Sequence, residues 1–160
     1  MDTDKDYTYM RAALEEAEHA KALNEVPIGA ILVDIESGDI VARAGNRTIT
    51  NADPTAHAEI VVIRDLCGKA QSQRIPNRYD LYVTLEPCAM CAAAISFARI
   101  RRIIYGAPDE KGGGVEHGGR FYEQPTCHHK PEIVSGIMAD ECGQILKNFF
   151  KEKRKKAPKS

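Results

Sequence analysis

A chain of 160 residues with 43% hydrophobic and 28% charged side chains has the length and balance of one soluble globular domain, expected here over residues 1–160. No apolar run reaches the roughly 20 residues of a membrane-spanning helix, and Met1 to Met10 is too acidic and polar for a signal peptide, so no membrane partner and a cytoplasmic location are expected. Five cysteines, an odd number without secretory context, argue against a disulfide framework and for metal binding or catalysis.

In chain order, Met10, Ala13, Leu14, Ala17, Ala20 and Leu23 recur at spacings of three and four, predicting an amphipathic helix over residues 6–23. The β-branched run Ile28 to Ile35, the segment Glu36-Ser37-Gly38-Asp39 and the run Ile40 to Ala44 predict an antiparallel hairpin. Asp53 as N-cap and Pro54 at the first helical position predict a second helix over Thr55 to Leu66, stopped at Gly68. Leu81 to Leu85 reads as a strand, and Pro87 opens a helix over Cys88 to Ala98. Arg102 to Ala107 and Glu132 to Ser135 read as further strands, and Ala139 to Arg154 as a closing helix with Ile145, Leu146, Phe149 and Phe150 on its apolar side. Helices that alternate with strands predict a layered α/β domain. The glycine-rich connection Gly106 to Pro131 is longer than most and reads as a binding loop or lid.

Two segments carry the chemistry: His57-Ala58-Glu59 and Pro87-Cys88-Ala89-Met90-Cys91, each in the first turn of an expected helix. Residues three apart on a helix differ by about 60° around its axis, so Cys88 and Cys91 aim at one point. The positive end of the helix favours the thiolates that a metal requires. His57, Cys88 and Cys91 then make three ligands, which leaves the fourth tetrahedral position of a zinc ion to water, as in a catalytic site. Glu59, beside the metal and not needed as a ligand, is the candidate proton carrier. A Cys-x-x-Cys pair alone also fits a redox motif or half of a structural zinc site; the His-x-Glu at a matching helix start weighs for catalysis. Cys67 and Cys142 fall within helical patterns and read as packed thiols. Cys127-His128-His129 reads as a loop that packs or touches substrate, with a second metal as the alternative. His19 and His117 lack any partner in the sequence and read as ordinary surface or loop residues.

These motifs resemble the cytidine deaminase superfamily and, within it, the bacterial tRNA adenosine deaminases. The resemblance extends to Glu25-Val26-Pro27-Ile28-Gly29-Ala30, Gly45-Asn46-Arg47, Asp53 to Glu59, Leu81 to Cys88, Gly106-Ala107-Pro108-Asp109, and the Phe149-Phe150 pair ahead of a basic tail. It implies a three-layer α/β/α cytidine deaminase-like fold with a mixed five-stranded sheet, one Zn2+ per subunit, and a homodimer with no other protein partner evident. The implied substrate is the wobble adenosine of a tRNA anticodon stem-loop, that of tRNA-Arg, and the product is inosine. In the implied reaction, water activated at the metal adds to carbon 6 of adenine while Glu59 moves protons to the ring and to the departing amine. Backbone groups of Ala58 and Cys88 would help bind the water or the base. Asn46 would contact the flipped nucleotide, although Asn is also common in strand-end turns, and Asp109 would lie near the substrate backbone. Gly112 to Lys130 has no secure counterpart in the pattern.

The charge distribution bears separately on the substrate. Net charge is −1, but residues 147–160 hold seven Lys or Arg against one acid, while residues 1–146 hold 15 bases and 22 acids. An acidic body repels a polyanion, so Lys151, Arg154 and their basic neighbours would supply the local patch, with Phe149 and Phe150 able to stack on splayed bases. A buried Phe pair and a solvated helix end give the plainer alternative. Two other functions also fit the sequence: deamination of free guanine- or cytosine-type bases or nucleosides, and a non-catalytic zinc-stabilised RNA-binding module.

Overall fold

Alternation along the strands feeds two cores, one on each face of a single sheet. Ala30, Leu32, Leu81, Val83 and Ile103 point to one side, and Ile31, Val33, Tyr82 and Ile104 to the other. The computed structural model describes residues 3–156. Its elements are α1 (Thr3–Ala22), β1 (Gly29–Asp34), β2 (Ile40–Gly45), α2 (Ala58–Ala70), β3 (Tyr79–Leu85), α3 (Ala89–Phe97), β4 (Arg102–Ala107), a 3-10 turn at Phe121–Glu123, β5 (Glu132–Val134) and α4 (Ala139–Lys156). The five strands lie in the order β2-β1-β3-β4-β5. β1 runs antiparallel to β2 and β3, and β4 runs parallel to both β3 and β5. The mixed five-stranded sheet is the one expected.

Ala58, Val62 and Leu66 of α2 join Ala92 and Ile95 of α3 over the first face, and Met10 and Ala13 of α1 join Cys142 of α4 over the second. This is the expected three-layer α/β/α arrangement. No helix among the described residues is long and apolar enough to cross a membrane.

The strand directions place the site. β2 and β3 both oppose β1, so β2, β3 and β4 point the same way, and the segments leaving their C-terminal ends emerge along one edge of the sheet. Those segments carry Asn46 to His57, Glu86 to Cys88, and Pro108 onward. An open sheet binds its ligands at such an edge.

Two helix starts differ from expectation. α2 begins at Ala58, with His57 as its N-cap, and runs on through Gly68 to a left-handed Gln71. Asp53 and Pro54 belong instead to a turn, in which Asp53 Oδ1 accepts from the Thr55 amide at 2.8 Å and hydroxyl at 2.7 Å. This Asx turn uses the same residue types that signal a helix start, upstream of the real one. α3 likewise begins one residue later than expected, with Cys88 as its N-cap.

Candidate metal centre

An N-cap residue has extended backbone and a side chain that can bend back over the helix end, which is why Ser, Thr, Asp or Asn fill the position elsewhere. His57 and Cys88 occupy it here, and neither makes a side-chain capping bond. Both side chains turn instead to a common point beyond the two helices. His57 Nδ1 lies 3.6 Å from Cys88 Sγ and 3.5 Å from Cys91 Sγ, and the three donor atoms all fall within 4.8 Å of one another. Tetrahedral zinc, with bonds near 2.05 Å to nitrogen and 2.3 Å to sulfur, requires a nitrogen-to-sulfur separation of about 3.6 Å. One imidazole and two thiols at that spacing fit the ion, and Nδ1 facing it leaves the ring proton on Nε2.

The electrostatics suit a metal as well. Before the ion binds, the Cys91 thiol donating to Cys88 holds the Cys88 thiol down to about 4, against burial and with help from His57. Cys91 is pushed up by that same hydrogen bond and by burial, so one sulfur carries the charge and the other the proton. Binding zinc releases that proton. The hydrogen bond to Cys88 raises the His57 pKa, which burial opposes and Glu59 supports.

Glu59 sits at the second position of α2 and is buried, next to His57, Cys88 and Cys91. Burial, chiefly, pushes its carboxyl up to about 7, and a bound dication works the other way. A carboxyl poised between these influences can take a proton and return it near neutral pH.

The remaining expected residues lie outside this cluster. Ala58 is buried at the first position of α2. Asn46 is buried at the end of β2, with its amide donating to Thr48 Oγ1 at 3.4 Å. Asp109 follows β4, half-buried, and its Oδ1 accepts from the Gly112 amide at 2.9 Å. Phe149 is buried, with Lys153 Nζ 5.4 Å from its ring centre, whereas Phe150 is 44% exposed; Lys151 and Arg154 are exposed on the same helix. These four stand on α4, in the other helical layer from the metal ligands. The 127–129 segment packs against α3: Ser96 Oγ donates to His129 O at 2.7 Å, Cys127 Sγ to the same carbonyl at 3.2 Å, and His129 Nε2 to Ile100 O at 2.7 Å.

Three polar residues at the same edge have roles that the sequence does not disclose. Glu25 is buried and accepts from the amides of Ile49 and Thr50 and from the Thr50 hydroxyl at 3.2, 2.6 and 2.6 Å, which pins the loop after Asn46. Glu86 is buried beside Pro87, and His117, far from partnerless, brings Nδ1 within 2.7 Å of its Oε1. His19 also has a partner, Glu16, at 3.3 Å.

Fold and donor set together define a zinc-dependent deaminase: residues 3–107 match the model of the cytidine and deoxycytidylate deaminase zinc-binding region. A tRNA-specific adenosine deaminase of Agrobacterium fabrum (strain C58) is 58% identical over 146 residues, covering 91% of this chain and 94% of that one. One of Rickettsia bellii is 46% identical over 145 residues, covering 91% and 99%. A solved structure from work on A-to-I editing by tRNA:A34 deaminases at the wobble position of transfer RNA superimposes with a TM-score of 0.83 at 57% identity, covering 87% of this chain and 99% of that one. The chain belongs to the tRNA-specific adenosine deaminase family, and its cofactor is one Zn2+ per subunit.

Proposed function

We propose that this protein converts the wobble adenosine of a tRNA anticodon, in tRNA-Arg, to inosine by hydrolytic deamination, with His57, Cys88 and Cys91 holding the zinc and Glu59 carrying the protons. The observation behind the chemistry is the triangle of one nitrogen and two sulfurs at tetrahedral spacing with a buried carboxyl beside it. Zinc bound there supplies the Lewis acidity that makes water a nucleophile near neutral pH. Glu59 accepts the proton of the attacking water and delivers it to a ring nitrogen of the base as the bond from carbon 6 to oxygen forms. It then takes the remaining proton from the hydroxyl added at carbon 6, which becomes the carbonyl, and transfers it to the amino group as the bond from carbon 6 to nitrogen breaks, so that water enters and ammonia leaves. Backbone groups of Ala58 and Cys88, at the two helix starts, orient the water and the base.

Asn46, held in place by the loop that Glu25 pins, contacts the flipped nucleotide, and Asp109 lies by its backbone. Phe150, Lys151 and Arg154 meet the anticodon arm, while buried Phe149 supports them. The deaminase domain spans residues 1–160 and acts in the cytoplasm, with residues 147–160 as its basic extension. Its assembly is a homodimer. Support for this comes from the face of α2 and α3 around Ile63, Cys67 and Ala94, where Phe97 is 76% exposed and helps line an apolar groove.

Incubation with an anticodon stem-loop carrying a wobble adenosine, and separately with free nucleosides and bases, tests the substrate. Inosine in the stem-loop is expected; turnover of free compounds alone would overturn the assignment, and binding of RNA without turnover would leave a non-catalytic module.

A further inference from the structure

Among the described residues Glu86 is the most heavily hydrogen-bonded carboxylate outside the metal site, and the deamination chemistry makes no use of it. Its side chain is fully buried. Oε1 accepts from the Asp109 amide at 3.0 Å and faces His117 Nδ1 at 2.7 Å. Oε2 accepts from the amides of Val115 at 3.2 Å, Glu116 at 3.0 Å and His117 at 3.0 Å. All these partners lie in the segment after β4, and Glu86 itself lies just after β3, whose last residue, Leu85, pairs with Ala107. The Glu86 amide continues that ladder by donating to Ala107 O at 2.9 Å.

The segment is fitted closely to the carboxylate. A Cβ on Gly113 would stand 2.5 Å from Glu86 Oε2 and 2.5 Å from Asp109 O. Gly114 donates to Pro87 O at 2.8 Å, one residue ahead of the ligand Cys88. A buried ionised carboxylate is a poor device for stability alone, because its desolvation is repaid only while every partner stays in place. What five convergent donors do provide is a single permitted position for the segment that holds them.

We propose that Glu86 is a positioning residue for substrate: through the amides of residues 115–117 and of Asp109 it fixes the segment against the start of α3 beside Cys88 and holds Asp109 in one place, so that the incoming nucleotide meets an Asp109 already in position. This rests on the site being an RNA adenosine deaminase. Preorganisation of this kind acts on binding before chemistry.

Glu86→Gln is the discriminating variant. The Gln carbonyl can keep the three amides of residues 115–117, and its NH2 can donate to His117 as the other tautomer, but it cannot accept from the Asp109 amide. Removal of that one charge-assisted bond is expected to raise KM for the stem-loop about tenfold while kcat stays within about twofold. Zinc content should match the wild type. Hydrogen exchange on the zinc-loaded protein gives a readout independent of turnover: the Asp109 amide should exchange faster in the variant, with the amides of β1 and β3 unchanged. Gly113→Ala, which forces the segment off an intact carboxylate, should raise KM in the same way and serves if Glu86→Gln fails to fold. An unchanged KM with a lowered melting temperature, or faster exchange across the whole sheet, would make Glu86 a purely structural residue and overturn the proposal. Absence of stem-loop turnover by the wild-type chain would instead overturn the functional reading.

Discussion

At the scale of single residues, the zinc ligands and the proposed proton carrier are chemically separable although they share two helix starts. His57 and Cys88 are N-caps whose side chains make no capping bond, so replacing either removes a donor to the metal and little from the helix. His57→Ala and Cys88→Ala should therefore lose zinc, as measured by elemental analysis, while secondary structure stays close to wild type. Glu59→Gln is isosteric, leaves all three donor atoms in place and cannot accept a proton. Its kcat should fall by about 10²- to 10⁴-fold with zinc content unchanged. A variant retaining activity within about tenfold of wild type would remove Glu59 from proton transfer.

At the scale of elements, the sheet is held at close range to α1 and to the loops at its C-terminal edge. A Cβ on Gly29 would lie 1.9 Å from Ala13 O and 2.5 Å from the Ala17 amide nitrogen, both backbone atoms of α1. Strand propensity alone favours alanine there, but the close approach of a rigid helix backbone decides the sign. Gly29→Ala should cost about 1–3 kcal/mol or more in chemical denaturation, and a neutral result would mean that α1 can move off the sheet. His117 gives the loop after β4 a pH dependence. The hydrogen bond to Glu86 raises its pKa above 6.5 in the folded chain, so its contribution is fully present below 6.5 and is lost as pH rises through the folded value. The melting temperature of zinc-saturated protein should decline across that range, and His117→Asn should remove this decline. The same elements show how far local patterns reach. Local signals locate these helices and strands: α1 and α4 each bury one stripe, whereas β1 and β3 are buried on both faces and show as apolar runs bounded by turn or cap residues. His57 reads from the sequence as a first-turn residue rather than a cap because Asp53 and Pro54 imitate a start. The pairing of Glu86 with His117 escapes such patterns because it joins residues 31 apart; the available hint is an acid lodged between Leu85 and Pro87 at the end of an apolar strand.

At the scale of the whole molecule, charge is divided between an acidic body and one basic helix end, the end proposed to meet RNA. Residues 1–146 hold 22 acids and 15 bases, and residues 147–160 hold seven bases and one acid. α4 anchors itself to the second core through Cys142, with Ile145 and Phe149 also buried, and then projects Lys151 to Lys156 beyond these anchors. Truncation after Phe150 thus removes charge without removing the buried residues of α4. Each phosphate neutralised by a removed base should account for about 0.7 to 0.9 of the slope of log K against log salt, through the counterions it displaces. If two or more of the removed bases touch phosphate, the slope for stem-loop binding should flatten by about 1.4 or more between about 50 and 200 mM salt. Lys153 already bonds Asn24 Oδ1 at 2.6 Å and lies over the Phe149 ring, so Lys151 and Arg154, which are exposed like Lys155 and Lys156, should each account for more of the change than Lys153. Lys151→Gln with Arg154→Gln in the full-length chain separates these contributions. A slope unchanged in both variants would confine the basic end to solubility and move RNA recognition to the loops that leave β2 and β4.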